Sequence, residues 1–208
     1  MVGLGGTAVA LAMGRCFTCT MLDGGAIKCW GQGSSLGDGT GISSFTPVEV
    51  VGLGGPAVAL SAGREHACVL LGGGAIKCWG TMSFYAGHSG LGDNTTATRF
   101  TPVEVLGLGG TAVAIASGHV HACTILDGGA IKCWGDNFYG QLGDNTTTTR
   151  LMPVGVVGLG GTAVALALGQ GFSCAMLDGG AIKCWGRRGN MGDGTYTDRL
   201  TPVTVVDL

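Results

Sequence analysis

Short runs of alternating small and branched apolar residues recur four times along the chain. They lie at Ala8–Ala12, Ala57–Ser61, Ala112–Ala116 and Ala163–Ala167, each shortly after a Gly-Leu-Gly-Gly sequence. Alternation at a period of two residues is typical of a β-strand rather than of a helix. A glycine ends the stretch soon afterwards in every copy. We therefore predict one strand at the start of each of four repeated units.

The most regular segment of each unit follows that strand and predicts a β-hairpin. In the third unit, Cys123–Gly135 reads Cys-Thr-Ile-Leu-Asp-Gly-Gly-Ala-Ile-Lys-Cys-Trp-Gly. The other copies are Cys19–Gly31, Cys68–Gly80 and Cys174–Gly186. Asp-Gly followed by a second glycine favours a three-residue turn with one glycine in the left-handed conformation. Centring the turn there places Cys19 opposite Cys29 and Met21 opposite Ile27.

A last strand and the spacing of the tryptophans complete the repeat. The last strands are predicted at Thr46–Val50, Thr101–Val105, Met152–Val156 and Thr201–Val205. The tryptophans that close the hairpins, at 30, 79, 134 and 185, are offset by 49, 55 and 51 residues. Four short strands in a unit of about 50 residues are typical of a propeller blade. We predict an all-β, propeller-type array of four four-stranded antiparallel blades in one domain, with units at about 3–51, 52–106, 107–157 and 158–208.

Composition and charge narrow the classes of partner. Glycine makes up 43 of 208 residues, charged residues make up 12%, and the formal net charge is −2. That charge offers no basic surface for nucleic acid, and the apolar runs are too short for membrane insertion. A surface poor in charge favours association. We expect a homo-oligomer or polymer, or a protein or glycan partner.

The unit as a whole resembles a known repeat family. The segment Gly118–Asp144 carries Gly-His-x-His-Ala-Cys, the hairpin described above, and then Asp-Asn-x-x-Gly-Gln-Leu-Gly-Asp. It is similar to the regulator of chromosome condensation (RCC1) repeat, in the cysteine-bearing variety found in secreted bacterial proteins. The resemblance covers essentially the whole chain and implies a β-propeller. Because family members are usually seven-bladed, four units leave free ends, continue in a longer protein, or are completed by other chains.

Eight of the nine cysteines form four pairs with identical spacing. The pairs are Cys19/Cys29, Cys68/Cys78, Cys123/Cys133 and Cys174/Cys184. Opposed cysteines on antiparallel strands are compatible with one disulfide within each blade. Zinc binding and buried free thiols are the alternatives, although zinc ligands usually come as more closely spaced pairs that converge on one ion. Disulfides would indicate an oxidising compartment, and hence an extracellular or cell-surface location.

Two further features are candidate sites of modification. Cys16 has no equivalent cysteine in the other units, so it is either an intermolecular thiol or a small buried residue. Asn94 and Asn145 begin Asn-x-Thr sequons, which are glycosylation acceptors in secreted proteins of suitable origin. A separate feature is one aspartate in each unit, at Asp38, Asp93, Asp144 and Asp193. These aspartates are expected to cap turns rather than to bind calcium.

The loops after the tryptophans differ most between units. They carry aromatic and basic residues that are typical of protein interfaces. The candidates for partner binding are Phe84, Tyr85, His88, Phe138, Tyr139, Arg187 and Arg188. The alternative is that these loops are ordinary turns of the repeat without a dedicated role.

The sequence contains no arrangement of residues typical of catalysis, of a metal site or of a cofactor site. We therefore expect a non-enzymatic, exported scaffold that acts by ring completion or filament formation, or by binding protein or glycan through its loops. The resemblance also implies an alternative, a regulator or inhibitor of a partner enzyme. Some members of the family promote guanine-nucleotide exchange on small GTPases, and a bacterial relative inhibits β-lactamases.

Overall fold

The computed structural model describes residues 4–82 and 90–206, which fold as four consecutive antiparallel sheets. Each sheet contains four strands in chain order. The first blade comprises β1 (Ala8–Met13), β2 (Phe17–Leu22), β3 (Ile27–Gly31) and β4 (Ser44–Glu49). The second comprises β5 (Ala57–Ala62), β6 (His66–Leu71), β7 (Ile76–Gly80) and β8 (Arg99–Glu104). The third comprises β9 (Ala112–Ser117), β10 (His121–Leu126), β11 (Ile131–Gly135) and β12 (Arg150–Gly155). The fourth comprises β13 (Ala163–Leu168), β14 (Phe172–Leu177), β15 (Ile182–Gly186) and β16 (Arg199–Thr204). The all-β, four-bladed prediction is confirmed.

The hairpin register follows from the turn chemistry. Cys19 lies opposite Cys29 and Met21 opposite Ile27, as predicted. The amide of Gly25 donates to the carbonyl of Leu22 at 2.8 Å, and Gly25 has a φ of 78°. That φ lies in the left-handed region, which glycine adopts without a steric penalty. The same register recurs in the other three blades.

The hydrophobic core lies between blades rather than within them. Each sheet has a disulfide face, which carries the two cysteines, and a Trp face, which carries the tryptophan. Cys29 and Ile27 on the disulfide face of the first blade belong to one buried cluster with Val69 and Trp79 of the second. Equivalent clusters join the second blade to the third and the third to the fourth. The repeated interface therefore pairs the disulfide face of one blade with the Trp face of the next.

The first strands β1, β5, β9 and β13 contact one another in sequence, so they form the inner edge of the array. We call the end at which they finish the mouth. Phe17, at the start of β2, lies opposite Gly31, at the end of β3. The loops after the tryptophans therefore emerge at the mouth, as do the connections between the first and second strands.

Candidate functional site

A set of hydrogen bonds crosses each interface between blades. The Trp79 indole donates to the carbonyl of Ser35 in the preceding blade at 2.9 Å, and Trp185 donates in the same way to Gln141. Backbone amides cross at the inner edge as well, with Ala57 N donating to Gly25 O at 3.0 Å. The same bond is made by Ala112 to Gly74 and by Ala163 to Gly129, at 3.1 Å each. Trp79 and Trp185 thus fix their blades on the loop of the previous one, whereas Trp134 Nε1 has no hydrogen-bond partner among the described residues.

The outer strands add a second row of contacts. The amides of Gly39, Asn94 and Asn145 donate to the carbonyls of Phe100, Leu151 and Leu200 in the following blade, at 2.9–3.2 Å. The interface therefore has the same apolar centre, inner bond and outer bond at each of its three occurrences in the described residues. Because the interface repeats so closely, each of its two faces has a known binding surface, which is the opposite face of the neighbouring blade.

The Trp face of the first blade is the unpaired copy of one half of this interface. Leu11 is 68% exposed and Met13 is 73% exposed, whereas the equivalent residues of later blades pack on the preceding disulfide face. Phe45 is 93% exposed, although it occupies the position of Phe100. Trp30 is half-buried, while the other three tryptophans are fully buried. Three of the four tryptophans therefore lie in the core between blades.

The disulfide face of the fourth blade is the unpaired copy of the other half. Met176 is 43% exposed, whereas the equivalent Ile125 is 2% exposed. Cys174 is half-buried, although the first cysteine of every other pair is fully buried. The two end surfaces of the described array thus carry complementary halves of an interface that the array itself contains three times.

The predicted cysteine pairs are all disulfides. They are Cys19–Cys29, Cys68–Cys78, Cys123–Cys133 and Cys174–Cys184, each with a Cα–Cα separation of 4.1 Å. Each closes a sequence separation of 10 residues across its hairpin. Cys16 is a free and exposed thiol, so the alternative of a small buried residue is wrong.

Cys16 lies on the open Trp side of the first blade. Its equivalent in the second blade, Glu65, receives contacts from the first blade. Arg15 Nη1 lies 3.7 Å from the Glu65 carboxylate, and the Ser35 hydroxyl donates to the Glu65 carbonyl at 2.9 Å. The position of Cys16 is therefore one that a preceding blade would cover.

In three blades, an aspartate, a threonine and an arginine hold together the loop between the third and fourth strands. We call this set of contacts the arginine staple. Asp144 accepts hydrogen bonds from the backbone amide and hydroxyl of Thr146 and from Arg150 Nε, the last at 3.0 Å. Asp93 with Arg99 and Asp193 with Arg199 repeat the ion pair at 2.6 Å. Asp38 caps Thr40 in the same way, but Ser44 replaces the arginine. The turn-cap prediction is correct, and the arginine is the part that sequence analysis missed.

The sequon asparagines have a conformational role. Asn94 and Asn145 are exposed and have a φ of 63°, while Gly39 and Gly194 occupy this position in the other two blades. Asparagine is the non-glycine residue best suited to the left-handed region. The turn itself therefore explains the asparagine, and glycosylation at these positions stays a prediction.

A cavity of about 610 Å³ opens at the mouth. Each blade contributes three consecutive residues to its lining, at 13–15, 62–64, 117–119 and 168–170. Backbone bonds link these segments, with Arg15 N donating to Arg64 O at 2.8 Å and Arg64 N donating to His119 O at 3.0 Å. The mouth cavity is thus built by all four blades and held in shape by their main chains.

Two neutral histidines lie beneath the mouth. Burial lowers the pKa of His66 and of His121 to about 3, and both side chains are fully buried. His121 Nε2 is 2.9 Å from the hydroxyl of Ser173 in the next blade. Phe17 and Phe172 occupy the same position in the outer blades, so this position holds a flat ring in every blade.

The loop of the third blade presents aromatic side chains on a fixed frame. Asn137 is fully buried; its Nδ2 donates to Asp144 Oδ1 at 3.0 Å, and its Oδ1 accepts from the Leu142 amide at 2.9 Å. Phe138, 72% exposed, packs edge-on against Tyr139 at 4.9 Å between ring centroids. Phe138 is therefore displayed to solvent, with Tyr139 half-buried beside it.

Basic residues of the fourth blade extend this aromatic surface. The guanidinium of Arg187 lies 5.3 Å from the centroid of the Tyr139 ring, and that of Arg188 lies 5.5 Å from the Tyr196 ring. The structure thus brings together three of the predicted partner-binding residues, Phe138, Tyr139 and Arg187. Phe84, Tyr85 and His88 lie outside the described residues.

Among the residues that the structure describes, no cluster of three or more histidine, cysteine, aspartate or glutamate side chains is placed to hold a metal ion. No helix in that part of the chain has the length and apolar character needed to cross a bilayer.

Sequence profiles of the regulator of chromosome condensation (RCC1) repeat match residues 129–176 and, in a second form, residues 57–85 and 112–141. The chain is an RCC1-like repeat protein. It is 38% identical over 76 residues to the human E3 ubiquitin-protein ligase HERC2, a match that covers 36% of this chain and 2% of HERC2.

Solved structures support the same RCC1-like fold. The whole chain superposes on human WBSCR16 with a TM-score of 0.88 at 20% identity, covering 55% of that chain. The chain also superposes on yeast RCC1 (Prp20), which was solved with Kap60 bound. The TM-score is 0.79 at 20% identity, over 95% of this chain and 48% of the solved chain. The RCC1-like array therefore spans about half the length of these two solved relatives.

Proposed function

We propose that this RCC1-like chain is a non-enzymatic, exported scaffold that assembles through its two end surfaces. In this proposal the disulfide face of the fourth blade of one copy binds the Trp face of the first blade of another. The single observation that carries it is the exposure of Leu11, Met13 and Met176 at positions that are covered at each interface between blades. Four disulfides support an oxidising compartment.

The physical argument rests on the three interfaces inside the array. An end-to-end contact would bury the same kind of apolar cluster and would offer the Trp30 indole the carbonyl of Asn190, which occupies the position of Ser35 and Gln141. It would also pair the exposed Phe45 strand with the Gly194 turn, as Phe100 pairs with Gly39. A contact between two different surfaces is heterologous, so it produces a closed ring if the rotation closes and a filament if it does not.

Cys16 provides a reporter of this contact, because it lies where a preceding blade would cover it. We expect its alkylation by N-ethylmaleimide to slow as the protein concentration rises, in parallel with an increase of mass in light scattering. The residues that would face it in a second copy match Arg15 and Ser35, namely Gln170 and Asn190. The thiol should therefore be covered without forming a disulfide in this contact. A thiol that reacts at a constant rate in a particle of growing mass would contradict the proposed surfaces.

A second candidate function is the regulation of a partner enzyme through the mouth loops. The observation that favours it is the surface formed by Phe138, Tyr139 and Arg187, since aromatic and arginine side chains anchor many interfaces. Yeast RCC1 (Prp20), a protein of similar fold, was solved bound to Kap60, and this supports a protein partner for the present chain. Phe138→Glu separates the two functions, because it should abolish binding at the loops and leave the protection of Cys16 unchanged.

A further inference from the structure

The mouth cavity has properties that neither end assembly nor the loop surface uses. Its volume of about 610 Å³ lies within the range of small-ligand pockets, which are mostly apolar and contain a few polar groups. Its twelve lining residues include four glycines and, as larger apolar side chains, Met13 and Leu168. The polar side chains are those of Arg15, Arg64, Ser117, His119 and Gln170.

The glycines keep the cavity open. A Cβ atom at Gly63 would collide with the His66 ring and with the carbonyl oxygen of Gly118 in the next blade. Gly118 is restricted in the same way by His121 and by the carbonyl of Gly169. Side chains are therefore excluded at these points, and the floor of the cavity is backbone laid over imidazole and aromatic rings.

The charge at the mouth differs in sign from that of the chain. Two arginines line the cavity and none of its twelve lining residues is acidic, although the whole chain carries a formal charge of −2. Glu65 lies next to the cavity, with its carboxylate 3.7 Å from Arg15 Nη1 and 3.4 Å from Arg64 Nε. Among the described residues, one carboxylate faces these two guanidinium groups, which leaves an excess of positive charge. Arg15 presents this charge to the solvent, since its side chain is 59% exposed.

His119 adds a hydrogen-bonding group to the cavity rather than a charge. Burial and then the charge of Arg64 lower the pKa of His119 below its usual value. The imidazole is therefore neutral at neutral pH, and the local excess comes from the arginines alone. A single excess charge matches a carboxylate. It does not match the row of phosphates in a nucleic acid, which requires an extended basic surface.

We propose that the mouth cavity binds an acidic peptide segment, whose carboxylate pairs with Arg15 and Arg64. An apolar residue next to that carboxylate packs on Met13 or Leu168. Guanidinium groups bind carboxylates through paired, charge-assisted hydrogen bonds, which gives the site its chemical selectivity. The cavity shares Met13 and Gln170 with the surfaces proposed for assembly, but neither Leu11 nor Met176 lines it. Leu11→Glu and Met176→Glu therefore test the assembly without altering this site, so the two proposals can fail separately.

The probe is a fluorescein-labelled peptide, Gly-Leu-Glu-Asp-Leu-Gly, titrated with the non-reduced protein and followed by fluorescence anisotropy. Its control is the same peptide with glutamine and asparagine in place of the acidic residues. We expect the acidic peptide to bind, the amide peptide to bind at least about tenfold more weakly, and high salt to weaken binding of the acidic peptide.

Three variants locate the site. Arg15→Gln removes an exposed charge and should weaken binding by about tenfold. Gln170→Arg places an arginine where the first two blades have one, and it should strengthen binding, a gain that misfolding cannot produce. Lys132→Gln removes a positive charge near the opposite end of the third blade and should change nothing. Equal binding of the acidic peptide by the native protein and Arg15→Gln would overturn the proposal. Equal binding of the two peptides by the native protein would overturn it as well.

Discussion

At the scale of single residues, the repeat position that holds Phe17, His66, His121 and Phe172 is the most informative. The ring at this position packs under a mouth glycine in every blade, so it needs a flat side chain and no charge. Both ring nitrogens of His66 lack a hydrogen-bond partner among the described residues, as does Nδ1 of His121. A buried polar atom without a partner lowers stability. Histidine is therefore tolerated here as an aromatic ring.

The first prediction concerns the pH dependence of stability. Burial holds the pKa of His66 and His121 at about 3 in the folded protein, whereas an unfolded histidine has a pKa of about 6.5. The unfolded state therefore binds two more protons as the pH falls through this window. The free energy of unfolding should decrease by roughly 1 kcal/mol per pH unit for each histidine. The native protein therefore has its full stability above the unfolded pKa of the histidines. That stability is lost progressively as the pH falls from there towards the folded pKa.

The matched control is supplied by the chain itself, because the outer blades carry phenylalanine at this position. The double variant His66→Phe/His121→Phe loses the contact between His121 Nε2 and the Ser173 hydroxyl. It should nevertheless be the more stable protein below about pH 6, where protonation of the unfolded histidines destabilises the native protein. In urea unfolding it should lose most of the slope between about pH 6 and pH 5. His119 is present in both proteins, so any slope that it contributes cancels in the comparison. An unchanged slope in the double variant would show that these imidazoles are not buried as described.

At the scale of elements, the loop between the third and fourth strands is held by a staple that is missing from one blade. Arg150 pairs with Asp144 at 2.9 Å, and the two side chains are 36% and 7% exposed. Burial alone would raise the pKa of Asp144, but hydrogen bonds from Thr146, Arg150 and Asn137 outweigh it and lower the pKa. Asp144 therefore contributes stability above its unfolded pKa, and this contribution is lost as the pH falls through the lower folded pKa.

The second prediction uses the blade that lacks the arginine. Arg150→Ser should reduce the free energy of unfolding by about 1 kcal/mol at neutral pH, since the pair is partly exposed to solvent. Ser44→Arg should instead add a small stabilisation, because it supplies the partner that Asp38 lacks. Chemical denaturation of both variants measures the two effects. A loss in both variants would mean that the arginine acts through something other than the aspartate.

At the scale of the whole molecule, the fold could be predicted because its main signals are local in the sequence. Asp-Gly-Gly at residues 23–25 sets the hairpin register and hence the disulfide, because a turn constrains only its own neighbours. The bond from Trp79 to Ser35 spans 44 residues and joins two blades, so no local pattern reveals it. The mouth cavity gathers segments from four blades in the same way. Such contacts depend on how the repeats stack. The repeat period predicts that they stack, but it does not say which residues of two blades meet.

The arginine staple shows the same limit within one unit. Arg150 and Asp144 are six residues apart across an irregular loop, where no fixed periodicity brings two side chains together. An aspartate and an arginine at the same two positions in three units were the available signal. The sequence shows that the first unit lacks this arginine. Only the structure shows that the arginine pairs with the aspartate, and hence that Asp38 has lost a partner.

The most direct measurement of end-to-end assembly is a mixing experiment followed by light scattering. Leu11→Glu places a charge on the open Trp face, and Met176→Glu places one on the open disulfide face; both residues are exposed, so each variant should fold. Each variant alone retains only one functional end, so it should remain monomeric at concentrations at which the native protein assembles. Mixed together, they share a single intact pair of ends and should form a one-to-one dimer that grows no further. Assembly of either variant alone to the native size, or a mixture that stays monomeric, would contradict assembly through these two surfaces.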